Sequence, residues 1–133
     1  MFRALDISTS GLVAQRAQMD VIAANLANSR TTRRADGESG PYLRRVALLA
    51  TGDGAGGPGV HVTNIVEDTQ QQPRLVHDPS HPDANAQSYV AYPNIDEATE
   101  MINAMVAARA YEANVTAIES TKAMIASSLR LLA

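Results

Sequence analysis

The stretch that decides the fold is residues 94–132, NIDEATEMINAMVAARAYEANVTAIESTKAMIASSLRLL, which contains neither proline nor glycine. Within it, residues spaced seven apart form two mainly apolar rows. A repeat of 3.5 residues keeps one stripe facing the same partner, so the pattern predicts a long helix that coils left-handedly against another helix. The predicted contact rows are Met101, Ala108, Val115, Lys122 and Leu129, and, three residues on, Ala104, Tyr111, Ile118, Ile125 and Leu132.

Polar residues mark the start of this helix and one position within its rows. Asn94 is predicted to cap the helix, and Glu97 follows three residues later, as in a capping box. Lys122 is the only charged residue in the two rows. A single polar residue at such a position usually fixes the register or the number of strands in a coiled coil.

Apolar residues also occur outside the two rows. A two-stranded coiled coil would leave these positions exposed to solvent. They are Ile102 and Val106 near one end of the helix, and Met124 and Leu131 near the other. A helix that is apolar on several sides must be buried on several sides. The sequence therefore favours a bundle or a polymer over an isolated pair of helices.

A second helix is predicted over residues 4–28. Its apolar residues are again spaced in sevens, with one addition: Leu5, Leu12, Met19 and Leu26, joined by Ile22. Gly11 lies inside this helix, where glycine costs about 1 kcal/mol relative to alanine. It marks either a weak point near the helix end or a close approach of a neighbouring helix.

The region between the helices is predicted to be rich in β-structure, since all six prolines lie between residues 41 and 93. The fold class is therefore α+β, with long terminal helices pairing as a coiled coil around an inserted β-rich module. The predicted regions are a helix with a basic linker (1–34), the middle module (35–93) and the last helix (94–133). Within the module, strands are predicted over 42–50 and 59–66 around a hairpin loop at 51–58, and extended pieces over 73–77 and 88–92 around a turn at 78–83.

The formal net charge of −3 is unevenly distributed along the chain. Residues 1–45 carry +3, residues 46–100 carry −7 and residues 101–133 carry +1. The basic run Arg30, Arg33 and Arg34 is either a solvated loop or a segment that meets the acidic middle of a neighbouring subunit. The sequence pI of 5.5, with no aromatic residues in the basic run, argues against nucleic acid as a partner.

Several classes of protein are disfavoured by what the sequence lacks. The absence of cysteine excludes disulfides, thiolate metal sites and cysteine nucleophiles. No apolar run is long enough for a membrane span, and residues 1–10 do not have the pattern of a cleaved secretory signal. An exported chain of this kind would need another route.

Two stretches partly match the sequence patterns of a dinucleotide site and a metal site. Residues 52–57, GDGAGG, match G-x-G-x-x-G, but Pro58 and a predicted strand follow instead of the helix that a dinucleotide site requires. His77, Asp78, His81 and Asp83 could be drawn as metal ligands, yet the intervening prolines favour a hydrogen-bonded turn. The sequence predicts no enzyme, no metal or other cofactor and no small-molecule substrate.

Several motifs together resemble one known family. They are SGLVAQ at 10–15, MDVIAANLAN at 19–28 with Thr31, DPSHPDAN at 78–85, YVAYPN at 89–94 and AYEANVT at 110–116. The first two are similar to the N-terminal signature of the flagellar rod and hook proteins. The later three narrow the resemblance to the proximal members of the flagellar basal-body rod family, and the match runs nearly end to end.

The resemblance implies a structural subunit of the bacterial flagellar rod, the shaft that transmits torque from the motor ring to the hook across the periplasm. Such proteins assemble helically through their terminal helices, beside other rod subunits, a rod–ring adaptor and the surrounding ring proteins. The flagellar type III apparatus exports them without a cleaved signal.

The main alternative is a self-contained coiled-coil binding module that forms a closed dimer. A dimer of defined mass in dilute solution, with intact helices, would support it. An enzyme is a distant third, and retention of a nucleotide or metal after purification would revive it.

Overall fold

The computed structural model describes residues 2–37 and 40–132, apart from the side chains of Phe2 and Leu132, and these residues form two long helices and two small antiparallel sheets. This arrangement confirms the predicted α+β class with a β module between terminal helices. In chain order the elements are α1 (Phe2–Ala27), β1 (Arg45–Thr51), β2 (Val60–Glu67), β3 (Arg74–His77), β4 (Tyr89–Tyr92) and α2 (Glu97–Leu132).

The two helices pack against each other in antiparallel orientation. Asn25 of α1 hydrogen-bonds to Glu100 of α2, and Gly11 of α1 faces Asn114 of α2. The two contacts are separated by the same number of residues on α1 as on α2, and their order along one helix is the reverse of their order along the other. A Cβ atom on Gly11 would lie 2.7 Å from Asn114 Nδ2, so Gly11 marks a close approach between helices, one of its two predicted roles.

The most buried positions on α1 and α2 are mainly small and polar residues. The buried positions on the two helices are Gly11, Ala14, Val21 and Asn25 on α1, and Glu100, Ala107 and Thr121 on α2. On α2 this buried row lies one residue before the predicted row that begins at Met101. The predicted row that begins at Met101 therefore flanks the contact within the chain.

The helix α2 begins at Glu97, three residues later than predicted. The predicted cap at Asn94 is wrong, since Asp96 performs this role. Its Oδ1 accepts from the Ala98 amide at 3.1 Å and its Oδ2 from the Thr99 hydroxyl at 2.6 Å. The bond from Thr99, followed by that from Ala98, lowers the pKa of Asp96 and keeps a negative charge at the positive end of the helix dipole.

Strands β1 and β2 form the predicted hairpin. They pair in register from Arg45 opposite Glu67 to Thr51 opposite Val60, with a bulge between Leu48 and Leu49. The GDGAGG stretch forms the loop between them. Its turn is closed by Asp53, whose Oδ1 accepts from the backbone amides of two later loop residues at 2.8 Å each.

The loop end of the hairpin rests on α1 at Ser10. Ser10 accepts a hydrogen bond from the Val60 amide at 3.1 Å and donates to the Ile7 carbonyl at 2.7 Å. A Cβ atom on Gly59 would lie 2.6 Å from Ser10 Oγ, and Gly59 has a φ of +134°. Glycine is therefore required here both by its backbone conformation and by the proximity of α1.

Strands β3 and β4 pair over the two short extended pieces that the sequence predicts. The turn between them is hydrogen-bonded, as predicted. Asp78 Oδ1 accepts from the Ser80 amide and hydroxyl at 3.0 and 2.7 Å, and the Asp83 amide donates to His81 Nδ1 at 3.1 Å. Among the described residues, no group of three or more His, Cys, Asp or Glu side chains could hold a metal ion.

Candidate assembly interface

Glu100 lies at the centre of a buried polar cluster, with only 1% of its surface exposed. Arg44, just before β1, donates from Nε and Nη2 to Glu100 Oε1 at 2.9 and 2.7 Å. Asn25 on α1 donates to the other carboxylate oxygen at 3.1 Å. Because a buried carboxylate is costly unless it is paired and hydrogen-bonded, the cluster holds α1, α2 and β1 in one arrangement.

Asn25 extends this cluster to the backbone of the β module. Its Nδ2 donates to the Arg45 carbonyl and its Oδ1 accepts from the Arg45 amide, both at 2.8 Å. The Tyr42 hydroxyl donates to the same Oδ1 at 3.2 Å, and burial raises the pKa of Tyr42, which keeps this donor protonated. The Asn25 amide thus pairs with the start of β1 much as a neighbouring strand would.

The end of α1 and the start of α2 are joined by a second polar contact. Ser29 is buried and donates from Oγ to Glu97 Oε1 at 2.9 Å. Arg30 approaches the same oxygen at 3.7 Å, with both side chains substantially exposed. Hydrogen bonds that the sequence pattern did not predict therefore connect the two helices at this end.

The basic segment after α1 pairs with acidic residues of its own chain. Arg33 forms an ion pair with Asp83, and Thr32 donates to the same carboxylate at 2.8 Å. Arg34 reaches Glu67 at 2.9 Å. The bonds from Arg33 and Thr32 lower the pKa of Asp83. At these positions the basic segment meets the acidic middle within one subunit. A contact of the basic segment with a neighbouring subunit stays a prediction.

Large apolar side chains remain exposed on α2 at both of its ends. We call residues 97–107 the head of α2 and residues 122–132 its tail. The head exposes four side chains, each between 54% and 63%: Met101, Ile102, Met105 and Val106. The tail exposes Met124, Leu129 and Leu131, the last at 88%. Such side chains on a long helix are typical of a surface that another protein covers.

The predicted contact rows take several positions in the structure. Those that are half-buried are Leu5, Leu12, Met19, Ile22 and Leu26 on α1, and Ala104, Ala108, Tyr111, Val115, Ile118 and Ile125 on α2. Met101, Lys122 and Leu129 are exposed, and the side chain of Leu132 lies outside the described part of the chain. Their role as an assembly seam between subunits stays a prediction.

The buried cluster is the part of the site that the sequence did not reveal. Asn25 lies in a quoted motif and Glu100 lies near the start of the predicted last helix, yet neither stood out as buried. A usable signal is present, because Glu100 stands seven residues before Ala107, in the row of α2 that meets α1. A charged residue in a buried helical row needs a partner.

Comparison with known proteins adds a separate finding. The profile of the family described as "Flagella basal body rod protein" matches residues 5–33, and that described as "Flagellar basal body rod FlgEFG protein C-terminal" matches residues 86–131. The flagellar basal-body rod protein FlgC of Bacillus subtilis (strain 168) is 42% identical over 98% of this chain and 97% of its own. The chain belongs to the flagellar basal-body rod proteins of the FlgC type.

Further FlgC relatives have similar coverage. The protein of Borreliella burgdorferi is 36% identical over 99% of this chain and 97% of its own. That of Escherichia coli O157:H7 is 38% identical over 95% and 93%, respectively. The two profile matches fall on α1 with the following turn and on β4 with α2. No described helix of this FlgC-type protein is long and apolar enough to span a membrane.

Proposed function

We propose that the chain is a structural subunit of the proximal rod of the bacterial flagellum and has no catalytic activity. Its terminal helices assemble helically with other rod subunits into the shaft that carries torque from the motor ring to the hook. The observation that carries the proposal is the exposed apolar surface of α2, on a chain whose relatives are rod proteins.

The total accessible surface supports assembly. It measures 8984 Å² for a chain of 14.1 kDa. A compact monomer of this mass would expose about 6,700 Å². Among the described residues, the buried apolar side chains are only those of Ala14, Val21, Val90 and Ala107 and of the prolines Pro41 and Pro93. A chain with so small a core and so large a surface completes its burial by contact with neighbours.

The arrangement of the exposed surfaces favours an open assembly. The exposed apolar groups lie at opposite ends of α2, so they are different surfaces rather than one self-complementary patch. Contacts between unlike surfaces generate a helical filament when the rotation between copies does not close a ring. A rod built from related subunits has this form.

We place the chain in the periplasm-spanning part of the basal body, exported by the flagellar type III apparatus without a cleaved signal peptide. Its proposed partners are the other rod subunits, the rod–ring adaptor and the surrounding ring proteins. Neither nucleic acid nor a small-molecule substrate is among them. The family to which the chain belongs and the resemblance in its motifs support this placement.

Replacement of Val106 by Asp tests the proposed function. Val106 is 63% exposed, so Val106→Asp leaves the fold of the isolated chain intact but puts a charge where a neighbour would pack. Buried positions such as Ala107 are unsuitable, because a charge there would unfold the helix pair itself. We expect bacteria that carry only the variant not to swim, and their purified basal bodies to lack rods.

Thr116→Asp is the matched control, since Thr116 is exposed on the same helix, where the surface is polar. These bacteria should swim. Circular dichroism of both purified variants should show unchanged helix content. Normal swimming with Val106→Asp would contradict assembly through this face of α2.

A further inference from the structure

The outer edge of β1 carries backbone groups that are open for pairing. In an antiparallel pair only alternate residues bond to the partner strand. Arg44 is one of them, since its carbonyl accepts from the Asp68 amide at 2.7 Å, so the amides and carbonyls of Arg45 and Ala47 point away from β2. Asn25 binds both groups of Arg45. No side chain in the described part of the chain binds those of Ala47.

Ala47 lines a cleft of about 260 Å³ between β1 and the helix pair. Residues 15–25 of α1 and 100–110 of α2 form its sides, and each of these stretches is about 15 Å long. An extended chain rises about 3.3 Å per residue, so four or five residues fill this length. A helix, about 10 Å across, needs several times the volume of the cleft. The shape of the cleft therefore suits a single extended chain.

Three side-chain amides in the cleft have no hydrogen-bond partner among the described residues. They are those of Gln15, Gln18 and Asn103, and all three residues are half-buried. A carboxamide both donates and accepts, so it matches the amide and carbonyl of a polypeptide backbone. Asn25 makes this match in the same cleft, where it binds both backbone groups of Arg45. The cleft thus has unused groups of the kind that already hold one extended backbone.

The charged groups that line the cleft are already paired within the chain. Arg44 binds Glu100 at 2.7 Å, and Arg45 reaches Glu67 at 3.2 Å. Apolar side chains complete the walls, and among them Val106 is 63% exposed. A charged side chain that entered the cleft would lose water and find no free counter-charge. The cleft therefore suits an uncharged segment with small apolar side chains.

We propose that the cleft binds an extended, uncharged segment of a different protein, which adds to β1 as a third strand at the level of Ala47. In such strand addition, backbone hydrogen bonds give affinity and side-chain pockets give specificity. Among the described residues, the apolar extended stretches of this chain are its four strands, and each already pairs with another. The contact deepens the proposed function, on which it rests, by giving the chemistry of one partner.

Nuclear magnetic resonance of the isotope-labelled, full-length chain tests the contact. The probe is the peptide acetyl-Thr-Val-Ala-Val-Thr-amide, which is uncharged and as long as the cleft. We expect it to shift the Ala47 amide and the side-chain amides of Gln18 and Asn103, but not the amide of Thr116, which is exposed on α2 outside the cleft. The same peptide N-methylated at both valines and the alanine lacks the backbone donors and should bind at least tenfold more weakly.

Ala47→Pro removes the free amide of β1 at the cleft. Proline is tolerated on an edge strand where the N–H faces away from the ladder. We expect the peptide to bind this variant at least tenfold more weakly. Thr51→Pro is the matched control, because Thr51 also turns its amide away from β2 but does not line the cleft. Equal binding by Ala47→Pro and the natural chain would overturn the proposal.

Ala110→Leu tests the cleft from the side of α2 and leaves β1 unchanged. Ala110 is half-buried and lines the cleft, so leucine there fills space that the segment needs. Binding should again fall at least tenfold. Ala113→Leu, at an exposed position three residues later, should bind the peptide normally. Circular dichroism of all four variants should show unchanged helix content, and equal binding by Ala110→Leu and Ala113→Leu would contradict the assignment of the cleft.

Other results would also overturn the proposal. One is the absence of any shift of the Ala47 amide up to the solubility limit of the peptide. Another is a shift that depends on protein concentration without peptide, since it would assign the cleft to a second copy of this chain.

Failure of this contact and failure of the proposed function are distinguishable. Loss of swimming with Val106→Asp, but no binding of the peptide by the natural chain, would keep the rod function and remove the strand addition. Binding at Ala47 together with normal swimming of Val106→Asp would keep the cleft as a binding site and remove assembly through this face of α2.

Discussion

Asn25 is the residue at which three separate segments of the chain meet. Its side chain satisfies Glu100 of α2, both backbone groups of Arg45 and the Tyr42 hydroxyl. An amide suits this position because it donates and accepts at once. Aspartate, which has nearly the same shape, could accept from the Arg45 amide but could not donate to the Arg45 carbonyl.

Replacement of Asn25 should reveal the strength of this cluster. Asn25→Ala leaves the buried Glu100 carboxylate and two backbone groups short of partners, so we expect a loss of about 3 kcal/mol in the free energy of unfolding. Asn25→Asp should be worse, because it places a second carboxylate against Glu100 and removes the donor. Urea denaturation followed by circular dichroism measures both.

The control for Asn25 is Arg109→Ala, which breaks an ion pair whose side chains are 83% and 63% exposed. Such exposed pairs contribute at most about 1 kcal/mol, so the change should be small. A stability of Asn25→Asp equal to that of the natural chain would show that the cluster does not hold the helices together.

Stability in acid should depend on aspartates that stabilise turns and the start of α2. Hydrogen bonds lower the pKa of Asp53, Asp78, Asp83 and Asp96 below the ordinary value of 3.8. A carboxyl group whose pKa is lower in the folded chain contributes stability above its unfolded pKa, and this contribution is lost as the pH falls through the folded pKa. We expect these groups to add nothing to the pH dependence between pH 7 and 5, and to lower the melting temperature below about pH 4.

Asp96→Asn separates charge from capping, since asparagine still caps a helix. Thermal melts of this variant should show a shallower decline of the melting temperature below pH 4 than the natural chain. Asp20→Asn, at an exposed position on α1, is the control. An identical acid profile for Asp96→Asn and the natural chain would contradict the role of the Asp96 charge.

At the scale of single residues, the sequence predicted the turn at 78–83 correctly but placed the cap of α2 two residues too early. Asn94 and Asp96 are both good caps, and local sequence does not separate them. The choice is made by tertiary contacts, because Glu97 must face Ser29 and Glu100 must face Asn25. Residues that are buried only through distant partners are invisible to local pattern.

At the scale of secondary-structure elements, the β1–β2 hairpin depends on its contact with Ser10 of α1. An isolated two-stranded hairpin is marginally stable in water, so the contact of Gly59 with Ser10 has to supplement strand pairing. The hydrogen bond from the Val60 amide to Ser10 fixes the first residue of β2 on the helix. Loss of this contact would leave the loop end of the hairpin loosely attached, while the start of β1 stays bonded to Asn25.

Gly59→Ala should loosen the hairpin more than Gly56→Ala does. Both glycines have positive φ, at +134° and +93°, but a Cβ atom at Gly56 meets nothing within 4 Å. The backbone strain common to both is of order 1–3 kcal/mol, and Gly59→Ala adds the clash with Ser10. Hydrogen exchange of the β2 amides measures the difference, and equal protection in the two variants would contradict the seat on α1.

The close approach of the helices at Gly11 predicts a coupling between two substitutions. Gly11→Ala gains about 1 kcal/mol of helix propensity but pushes against Asn114, which stands 2.7 Å from the new Cβ. Asn114→Ala removes that obstacle. We expect the double variant to be more stable than the sum of the two single changes, by urea denaturation. Simple additivity would show that the helices do not meet at Gly11.

Most elements could be predicted because prolines and glycines separate them, and the start of β1 was misplaced by only three residues. The heptad repeat gave the helices but assigned the bulky row beginning at Met101 to the seam. Periodicity identifies apolar faces and does not say which neighbour covers each face. Here the partner within the chain takes the small and polar row beginning at Glu100, and the bulky row is left partly open.

At the scale of the whole molecule, one end of the helix pair is held by buried polar contacts and the other end is exposed to solvent. The turn after α1, the start of α2 and the β module are joined by buried polar contacts, whereas the tail of α2 is exposed on several sides. Local stability should therefore fall along the helix pair toward the tail.

Limited trypsin digestion of the dilute chain should follow this gradient. We expect cleavage first after Arg130 and then after Lys122, because the tail frays, and late cleavage after Arg44, whose guanidinium binds Glu100. Mass spectrometry identifies the fragments in order. Early cleavage after Arg44, with the tail intact, would contradict a local stability that falls toward the tail.

The polar cluster around Glu100 has a mechanical consequence. A helix pair that is clamped at one end and free at the other behaves as a cantilever, whose stiff root is at Asn25 and Arg44 and whose compliant tip is the tail. A sideways load on the tip bends it elastically, and the root barely rotates. In an assembled shaft, neighbours that cover the tips would stiffen them, whereas the orientation of each β module is already set within its own chain.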